Sequence, residues 1–240
     1  MDDQEANGGR TGITVGVVTP HLAAGPEVEL PEMTAGRVAV VVERIRPDDP
    51  EALDRGAARF GDGSVDAVAY ASTMSGYALG QVAETALVER LRGLCGVPVV
   101  ASAASAVDAL RVCGARRVAL IHPPWFEDVT DALGVAYFRD QGFEIVLAKA
   151  TDLPDDPREV RAEDVVDRVG RDLGEEVDAM FFAGNGFRAA AAIEELERRT
   201  GLVVLEANQV LLWSILGATE STWDIAGYGR LFRPAPPTTR

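Results

Sequence analysis

The stretch Asp66-Ala67-Val68-Ala69-Tyr70-Ala71-Ser72-Thr73-Met74-Ser75-Gly76 is an apolar run that stops at small hydroxyl residues, with a helix-like segment after it. In an open α/β sheet, ligands bind where the carboxyl end of a strand meets the next helix, whose N–H groups hold anions. A second stretch, Asp178-Ala179-Met180-Phe181-Phe182-Ala183-Gly184-Asn185-Gly186, begins 112 positions later. Their alignment places Gly184 opposite Ser72 and Asn185 opposite Thr73, which predicts two equivalent strand ends.

Two more pairs of segments repeat in the same order. Val15–Pro20 resembles Val118–Pro123, 103 positions on, and Gly96–Val100 resembles Gly201–Leu205, 105 positions on. Such a period is too long for a solenoid unit and fits a duplicated half-domain. Strands alternate with helices, which is typical of parallel sheets with right-handed crossovers. We predict an α/β fold of two pseudo-symmetric Rossmann-like half-domains, each with a mostly four-stranded parallel sheet, facing each other across a cleft.

The repeat also predicts the domain organisation. Residues 1–11 are polar and glycine-rich and are predicted to be disordered. Residues 12–115 form the first half-domain and 116–215 the second, while 216–240 return to the first half and end in a loose tail. Strands are predicted at 13–19, 38–42, 66–71, 98–101, 118–121, 144–147, 179–183 and 202–205. Helices are predicted at 49–60, 78–94, 104–113, 127–140, 161–173, 187–199 and 209–216, whereas 22–29 is too rich in glycine and proline to be all helix.

The composition limits the class of partner. The 240 residues carry a formal net charge of −15 and a single lysine, Lys149. This argues against binding to nucleic acid or to an anionic membrane, because both need a basic face. No signal peptide or membrane-length apolar run is evident, so the cytoplasm is the expected location. The two cysteines, Cys95 and Cys113, have no metal-binding or redox spacing.

Four short motifs, in this order and spacing, resemble those of a known enzyme family. They are Pro20 with Ala23-Ala24-Gly25, Ala69-Tyr70-Ala71-Ser72-Thr73, Gly184 with Arg188, and Ala207-Asn208-Gln209 followed by Trp213. From about Ile13 to Gly227, the chain resembles the aspartate/glutamate racemase superfamily, especially its maleate isomerase and arylmalonate decarboxylase branch. The resemblance implies two pseudo-symmetric halves, no metal or organic cofactor, and an active site between the halves.

The chain departs from this family at the catalytic thiols. Members that racemise or isomerise usually carry a cysteine at the end of each equivalent strand, and the decarboxylases keep only the second. Here these positions hold Ser72 and Gly184, and neither Cys95 nor Cys113 aligns with them. A serine hydroxyl is a far weaker acid than a thiol and needs a neighbouring base. Two-base racemisation by thiols is therefore not expected, although an anion site that stabilises an enediolate-like intermediate can remain.

Three residues are candidates for catalysis: His21, Ser72 and Glu206. His21 and His122 are the only histidines and are predicted to occupy corresponding strand ends, where an imidazole can do acid–base work near pH 7. A lone histidine is more often structural. Glu206 precedes the Asn208-Gln209 pair of the family motif and is a further proton-transfer candidate.

The candidate substrate-binding residues lie at the predicted strand ends. Each of these residues also has a structural role as an alternative to ligand contact. Ser72 and Thr73 could cap the helix that follows them, and Asn185 could cap the equivalent helix. Gly184 and Gly186 could permit a tight turn. Arg188, expected in the first turn of its helix, can clamp a carboxylate or form a surface ion pair with Glu194 or Glu195. At the position of Trp125, relatives often have a tyrosine that contacts the ligand. Alternatively, Trp125 forms an apolar wall of the site. The full set is Pro20, Thr73, Met74, His122, Trp125, Gly184, Asn185, Gly186, Arg188 and Asn208.

The resemblance and the residues together predict a cofactor-independent isomerase or lyase. It acts by decarboxylation, elimination or isomerisation on a small carboxylic acid through an enediolate-like intermediate, without catalytic cysteines. The alternative is a non-catalytic carboxylate-binding or regulatory protein on the same scaffold. The expected partner is a small-molecule carboxylate, and assembly into a homo-oligomer is left open.

Overall fold

A computed structural model describes residues 11–46, 49, 51–169, 173 and 176–233. The predicted disorder of 1–11 and the loose end of the tail fall almost wholly outside these residues. The strands are β1 (Ile13–Thr19), β2 (Val38–Arg44), β3 (Ala67–Tyr70), β4 (Val99–Ala101), β5 (Arg117–His122), β6 (Glu144–Ala150), β7 (Ala179–Phe182) and β8 (Val203–Glu206). The α-helices are α1 (Pro26–Met33), α2 (Ala52–Ala58), α3 (Thr73–Cys95), α4 (Ser102–Val112), α5 (Asp128–Asp140), α6 (Ala162–Val169), α7 (Ile193–Thr200) and α8 (Ala207–Ala218).

The strands form two parallel four-stranded sheets with the same topology. The first has the order β2-β1-β3-β4 and the second β6-β5-β7-β8. The registers also repeat, because Val15 pairs with Ala67 in the first sheet and Val118 pairs with Ala179 in the second. The predicted fold class and the duplication are therefore confirmed.

The two aspartates that open the repeated stretches have a structural role at the amino ends of the sheets. The Asp66 carboxylate accepts the Thr14 N–H at 2.8 Å. The Asp178 carboxylate accepts the N–H groups of Arg116 and Arg117 at 2.9 and 2.8 Å. Each aspartate thus fixes the start of a neighbouring strand. Because the spacing within the two repeated stretches is the same, the carboxyl ends of β3 and β7 lie at equivalent positions.

The last helix of each half packs against the other half. Ala106 and Leu110 of α4 belong to the buried cluster that contains Val118 and Leu120 of β5. In α8, Leu211, Leu212 and Ile215 belong to the cluster that contains Val15 and Val17 of β1. Burial of these apolar side chains ties the two halves together, at roughly 1.5–3 kcal/mol for each large one.

The C-terminal segment contacts both halves. The Arg37 guanidinium lies 4.8 Å from the centre of the Trp223 ring and donates to the Asp224 carbonyl at 3.1 Å. Further on, the Arg230 N–H donates to the Glu197 carboxylate of α7 at 2.9 Å.

Three element boundaries near the strand ends differ from the prediction. The helix predicted at 78–94 begins at Thr73, because Ser72 is its N-cap and accepts the Ser75 N–H at 3.3 Å; Gly80, at φ 72° and ψ 164°, then interrupts it. The helix predicted at 187–199 begins only at Ile193, after a 3₁₀ turn at Ala190–Ala192. The reason is that Arg188 has a left-handed backbone with φ 60°. Part of the region predicted as a loop forms α1, with Pro26 in its first turn.

Candidate functional site

The carboxyl ends of β3 and β7 meet between the two halves. The Gly184 N–H donates to the Thr73 Oγ1 at 3.0 Å, and both residues are buried. Ser72 and Asn185 are also fully buried beside them, and the Ser72 and Ser75 hydroxyls lie 2.7 Å apart. The structure therefore brings the two predicted strand ends together. It also shows the helix-capping role that was the alternative reading of Ser72.

Gly184 occupies a position that no other residue fits without a shift. Its φ is 89°, and an added Cβ would lie 2.9 Å from the Pro123 Cγ. Left-handed backbone and close approach both favour glycine. The position of Gly184 is thus closed to side chains by the loop that follows β5.

Three loops close around this junction. An added Cβ at Gly25 would lie 1.8 Å from the Asn185 carbonyl oxygen, so the loop after β1 packs directly on the loop after β7. An added Cβ at Gly186 would lie 3.5 Å from the Ala23 Cβ and 3.9 Å from the Trp125 ring. Apolar side chains are exposed on these loops and at the start of α3: Leu22 (91%), Met74 (40%) and Trp125 (37%).

A buried polar network lies behind the loop formed by residues 184–190. The Asn208 side-chain amide donates to the Glu29 Oε2 at 2.6 Å and to the Asn185 carbonyl at 2.9 Å. The Asn185 amide donates in return to the Asn208 Oδ1 at 2.9 Å. The Ala190 N–H donates to the Glu29 Oε1 at 3.0 Å. Glu29 therefore connects α1 to both ends of the 184–190 loop.

Glu29 is a member of this buried network that sequence reasoning missed. It lies in the first turn of α1, where acidic residues are common because they complement the helix dipole. The position of Glu29 in the sequence therefore does not distinguish it from an ordinary acidic residue in the first turn of a helix. Only the packing of α1 against α8 shows that this carboxylate is buried.

Glu206 is fully buried and caps α8. Its Oε2 accepts the N–H groups of Asn208 and Gln209 at 2.7 and 2.9 Å, and the Gln209 Oε1 accepts the Glu206 N–H at 3.1 Å. Among the described residues, its Oε1 has no hydrogen-bond partner. Burial raises the pKa of Glu206 well above its ordinary value, and the charge of Glu29 raises it further. Both effects favour the protonated form of Glu206, and the proton fits on Oε1, the oxygen that faces no donor among the described residues.

Burial also raises the pKa of Glu29, to about 7. The hydrogen bonds from Asn208 and Ala190 and the charge of Arg188 act in the opposite direction. Two neighbouring buried carboxyls titrate as a pair, so that one stays protonated where the other ionises.

These pKa directions predict that Glu29 makes the protein less stable as pH rises. Its pKa is about 7 in the folded state and 4.5 ordinarily, so the folded chain holds a proton that the unfolded chain releases between these values. The stability it contributes is full below pH 4.5 and is lost by about pH 7, at a cost of about 3 kcal/mol. Urea unfolding at pH 5 and pH 7.5 should show a smaller decrease for Glu29→Gln than for the wild type. Equal decreases would contradict the assignment.

The positively charged Arg188 does not form the surface ion pair with Glu194 or Glu195 that was its alternative role. Glu194 pairs with Arg233 at 2.7 Å, and Glu195 pairs with Arg198 at 2.6 Å. Arg188 is half-buried in the 184–190 loop, and within the described part of the chain its Nε has no hydrogen-bond partner. The ion-pair alternative is therefore wrong for these two partners. Arg188 also lies outside α7, not in the first turn of a helix.

The two histidines do not occupy corresponding positions, which corrects the prediction. The residue opposite His122 in the repeat is Thr19, whose Oγ1 donates to the Ala71 carbonyl at 2.8 Å. His122 ends β5 and precedes Pro123, whereas His21 follows Pro20 and lies in the loop beyond β1. The repeat aligns the prolines, and each histidine lies on a different side of its proline.

The two imidazoles consequently have different surroundings. His21 is half-buried, and its Nε2 has no partner among the residues that the structure describes. Burial, and then the charge of Arg44, lower its pKa, so it is neutral at pH 7. His122 is fully buried, with its Nδ1 paired to Asp131 of α5 and its ring 5.2 Å from that of Phe126. Burial lowers the pKa of His122 more than Asp131 raises it.

A cavity of about 620 Å³ opens next to the Ser72–Ser75 hydroxyl pair. Pro20, Tyr70 and Ser75 lie in its wall. Small or apolar residues of α3 line much of the rest, namely Ala78, Leu79, Ala83, Ala86 and Leu87. Ile45 and Leu53 add further apolar surface, and three charged residues, Arg46, Asp49 and Arg90, also lie in the wall. This volume is that of a small-molecule site, and its lining favours an apolar group.

The two cysteines lie at helix ends. Cys95 is buried with its thiol 3.4 Å from the Ala57 carbonyl, and Cys113 follows α4. Burial raises the pKa of both thiols, which keeps them protonated and unreactive. We expect that alkylation of the native protein leaves turnover or ligand binding largely intact. Rapid inactivation with the fold preserved would contradict this expectation.

Two features are absent from the described residues: a cluster of metal ligands and a helix that could span a membrane. No group of three or more His, Cys, Asp or Glu side chains there is arranged to hold a metal ion. No helix in the same residues has the length and apolar character needed to cross a membrane.

Comparisons with known proteins are consistent with this architecture. Residues 29–232 match the family model of arylmalonate decarboxylase. A maleate isomerase of Pseudomonas putida strain KT2440 is 27% identical, covering 92% of this chain and 97% of the isomerase. A maleate isomerase of Geobacillus stearothermophilus is 24% identical, covering 84% and 90%.

Solved structures share the fold. The maleate isomerase Iso from Pseudomonas putida S16 superposes with a TM-score of 0.82 at 24% identity, covering 92% of this chain and 98% of that one. An arylmalonate decarboxylase superposes with a TM-score of 0.82 at 21% identity, covering 91% and 98%.

Proposed function

The chain belongs to the arylmalonate decarboxylase family, and from that premise we propose that it is a cofactor-independent isomerase or lyase that acts on a small carboxylic acid without a catalytic thiol. The family and its maleate isomerase relatives support the reaction class. The observation that carries the thiol-free chemistry is Glu206, a buried carboxyl whose raised pKa favours the protonated form and whose Oε1 has no partner among the described residues.

In this proposal the 184–190 loop binds a carboxylate of the substrate. The Arg188 guanidinium supplies the charge, and the junction of Thr73 with Gly184 supplies hydroxyl and backbone groups. Such preorganised donors stabilise negative charge that develops in the transition state. Ser72, next to the Ser75 hydroxyl, donates to the enediolate oxygen and does not act as a nucleophile. Pro20, Met74, Trp125, Gly186 and Asn208 complete the walls of the site.

Decarboxylation requires only one proton donor. The bond between the α-carbon and the departing carboxylate breaks, its electron pair passes into the enediolate of the remaining acid, and CO₂ leaves. The Glu206 Oε1–H then gives its proton to the α-carbon, and Glu206 recovers a proton from water. Isomerisation by removal and return of an α-proton requires a base as well. The lowered pKa of His21 favours the neutral imidazole, and its Nε2 has no partner among the described residues, so His21 has the chemistry of a base.

Activity assays separate the two reactions and the binding alternative. We would assay α-substituted malonic acids for CO₂ release and an optically active α-substituted carboxylic acid for racemisation, and measure affinity by calorimetry in parallel. His21→Ala should preserve decarboxylation and abolish α-proton removal. Binding of these acids without any product would favour the carboxylate-binding protein, to which the absence of thiols at Ser72 and Gly184 also points.

The surroundings of the site favour an acid with an apolar substituent. The cavity beside Ser75 is mostly apolar, and the exposed side chains of Leu22, Met74 and Trp125 are apolar as well. A phenyl- or alkyl-substituted malonic acid should therefore be bound more tightly than malonic acid itself.

A further inference from the structure

The Glu29 carboxylate, which belongs to the first half, holds the 184–190 loop of the second half. Glu29 accepts the Ala190 N–H on one oxygen and the Asn208 amide on the other, and Asn208 passes the connection to Asn185. We infer that Glu29 is the positioning residue of the site: its ionised form holds both ends of the 184–190 loop and keeps the proton on Glu206. The effect on turnover depends on the proposed function, whereas the proton distribution does not.

The hydrogen bonds themselves assign the charge within the pair. Both Glu29 oxygens face N–H donors, so a proton on Glu29 would displace one of them. Glu206 faces two N–H donors with Oε2 and none, among the described residues, with Oε1. A single proton shared by the pair is therefore accommodated on the Glu206 Oε1 without the loss of a hydrogen bond.

The charged groups around Glu29 come from four elements. Glu32 lies on α1 itself and is exposed, Arg188 lies in the 184–190 loop, Glu206 ends β8, and Tyr228 belongs to the C-terminal segment. Of these, only Arg188 is a cation, and it favours the ionised form of Glu29. Among the described groups around Glu29, Arg188 is thus the cation that is proposed to bind the substrate carboxylate and that also stabilises the ionised form of Glu29.

This arrangement predicts a pH window for activity. Below about pH 7 Glu29 takes up a proton and releases one of its two donors, so the loop loses its shape and KM rises. At high pH Glu206 loses the proton that catalysis requires. Glu29→Gln removes the charge, so the low-pH limb should disappear. The high-pH limb should move to lower pH by about one unit, because an anion no longer opposes the ionisation of Glu206.

The first test needs no substrate. Carboxyl carbons of ¹³C-glutamate-labelled protein are titrated by NMR, and Glu29 and Glu206 are assigned from the signals missing in Glu29→Gln and Glu206→Gln. We expect Glu29 to titrate near pH 7 and Glu206 above it, with the Glu206 midpoint lowered in Glu29→Gln. Glu32→Gln, on the exposed face of the same helix, is the matched control and should leave the Glu206 midpoint unchanged. A Glu206 midpoint unaffected by Glu29→Gln overturns the inference.

The second test measures kcat and KM across pH. Glu29→Gln should raise KM roughly tenfold, since one donor loses a charged acceptor, and should shift the high-pH limb as described. If Glu29→Gln does not fold, Glu29→Asp replaces it: the charge remains, so the Glu206 midpoint stays while KM rises. A lowered midpoint in Glu29→Asp, or an unchanged KM, overturns the inference. Correct NMR midpoints with no turnover on any acid refute the proposed function and leave the proton assignment standing.

Discussion

Glu206→Gln is expected to lower turnover by at least about 100-fold while leaving substrate affinity nearly unchanged. The glutamine oxygen can accept the N–H groups of Asn208 and Gln209 as the Glu206 Oε2 does, and its amide can occupy the place of the protonated Oε1. The variant therefore keeps the cap of α8 and the shape of the site. It lacks only an acidic proton to deliver to the α-carbon. Steady-state kinetics together with calorimetric titration of the substrate measure the two effects separately.

Glu197→Gln provides the control for burying an amide. Glu197 is 5% exposed and accepts the N–H groups of Val204 and Arg230 at 3.2 and 2.9 Å, and burial raises its pKa as it does that of Glu206. It lies on α7, outside the proposed site, so its variant should retain turnover. Full turnover by Glu206→Gln would show that another group gives the proton.

Gly184→Cys is expected to destabilise the fold by about 2–4 kcal/mol and not to create a thiol-dependent enzyme. The left-handed backbone costs a non-glycine residue about 1–2 kcal/mol, and displacing Pro123, 2.9 Å from the added Cβ, adds about 1–2 kcal/mol. The strain would also move the Gly184 N–H away from Thr73, to which it donates. Urea unfolding gives the loss of stability, and alkylation before assay shows whether any activity depends on the new thiol.

Gly93→Ala is the matched control for that substitution. Gly93 is exposed in α3 with nothing within 4 Å of an added Cβ, so alanine should stabilise the helix by about 0.5–1 kcal/mol. Wild-type stability in Gly184→Cys would mean that the loop after β5 yields easily. The close approach of Pro123 would then not explain the glycine.

The repeated sequence predicted the fold because parallel strands buried on both faces are encoded by continuous apolar runs. Ala67–Tyr70 and Ala179–Phe182 are buried at every position, and the spacing of the runs carried over into the register of the sheets. The meeting of Thr73 with Gly184 follows from the same repeat, since equivalent strand ends face each other. This much could be predicted without any knowledge of side-chain contacts.

The proton network could not be predicted in the same way. Glu29 and Asn208 are 179 positions apart and meet only because α1 and α8 pack together. Arg188 lies in a loop because its own backbone is left-handed, a conformation that the sequence does not signal for arginine. The predicted correspondence of the two histidines was wrong for a different reason. Both histidines lie near a strand end, but His122 precedes its proline and His21 follows its proline, so they are not equivalent in the repeat.

Deuterium incorporation tests the central claim most directly. The wild type and Glu206→Gln would each be incubated with phenylmalonic acid in heavy water, and the recovered phenylacetic acid analysed by mass spectrometry and NMR. We predict that the wild type forms product with one deuterium at the α-carbon and that Glu206→Gln forms at least about 100-fold less. The account would be contradicted by equal rates of deuterated product from both proteins, or by tight binding of phenylmalonic and related acids with no deuterated product from the wild type.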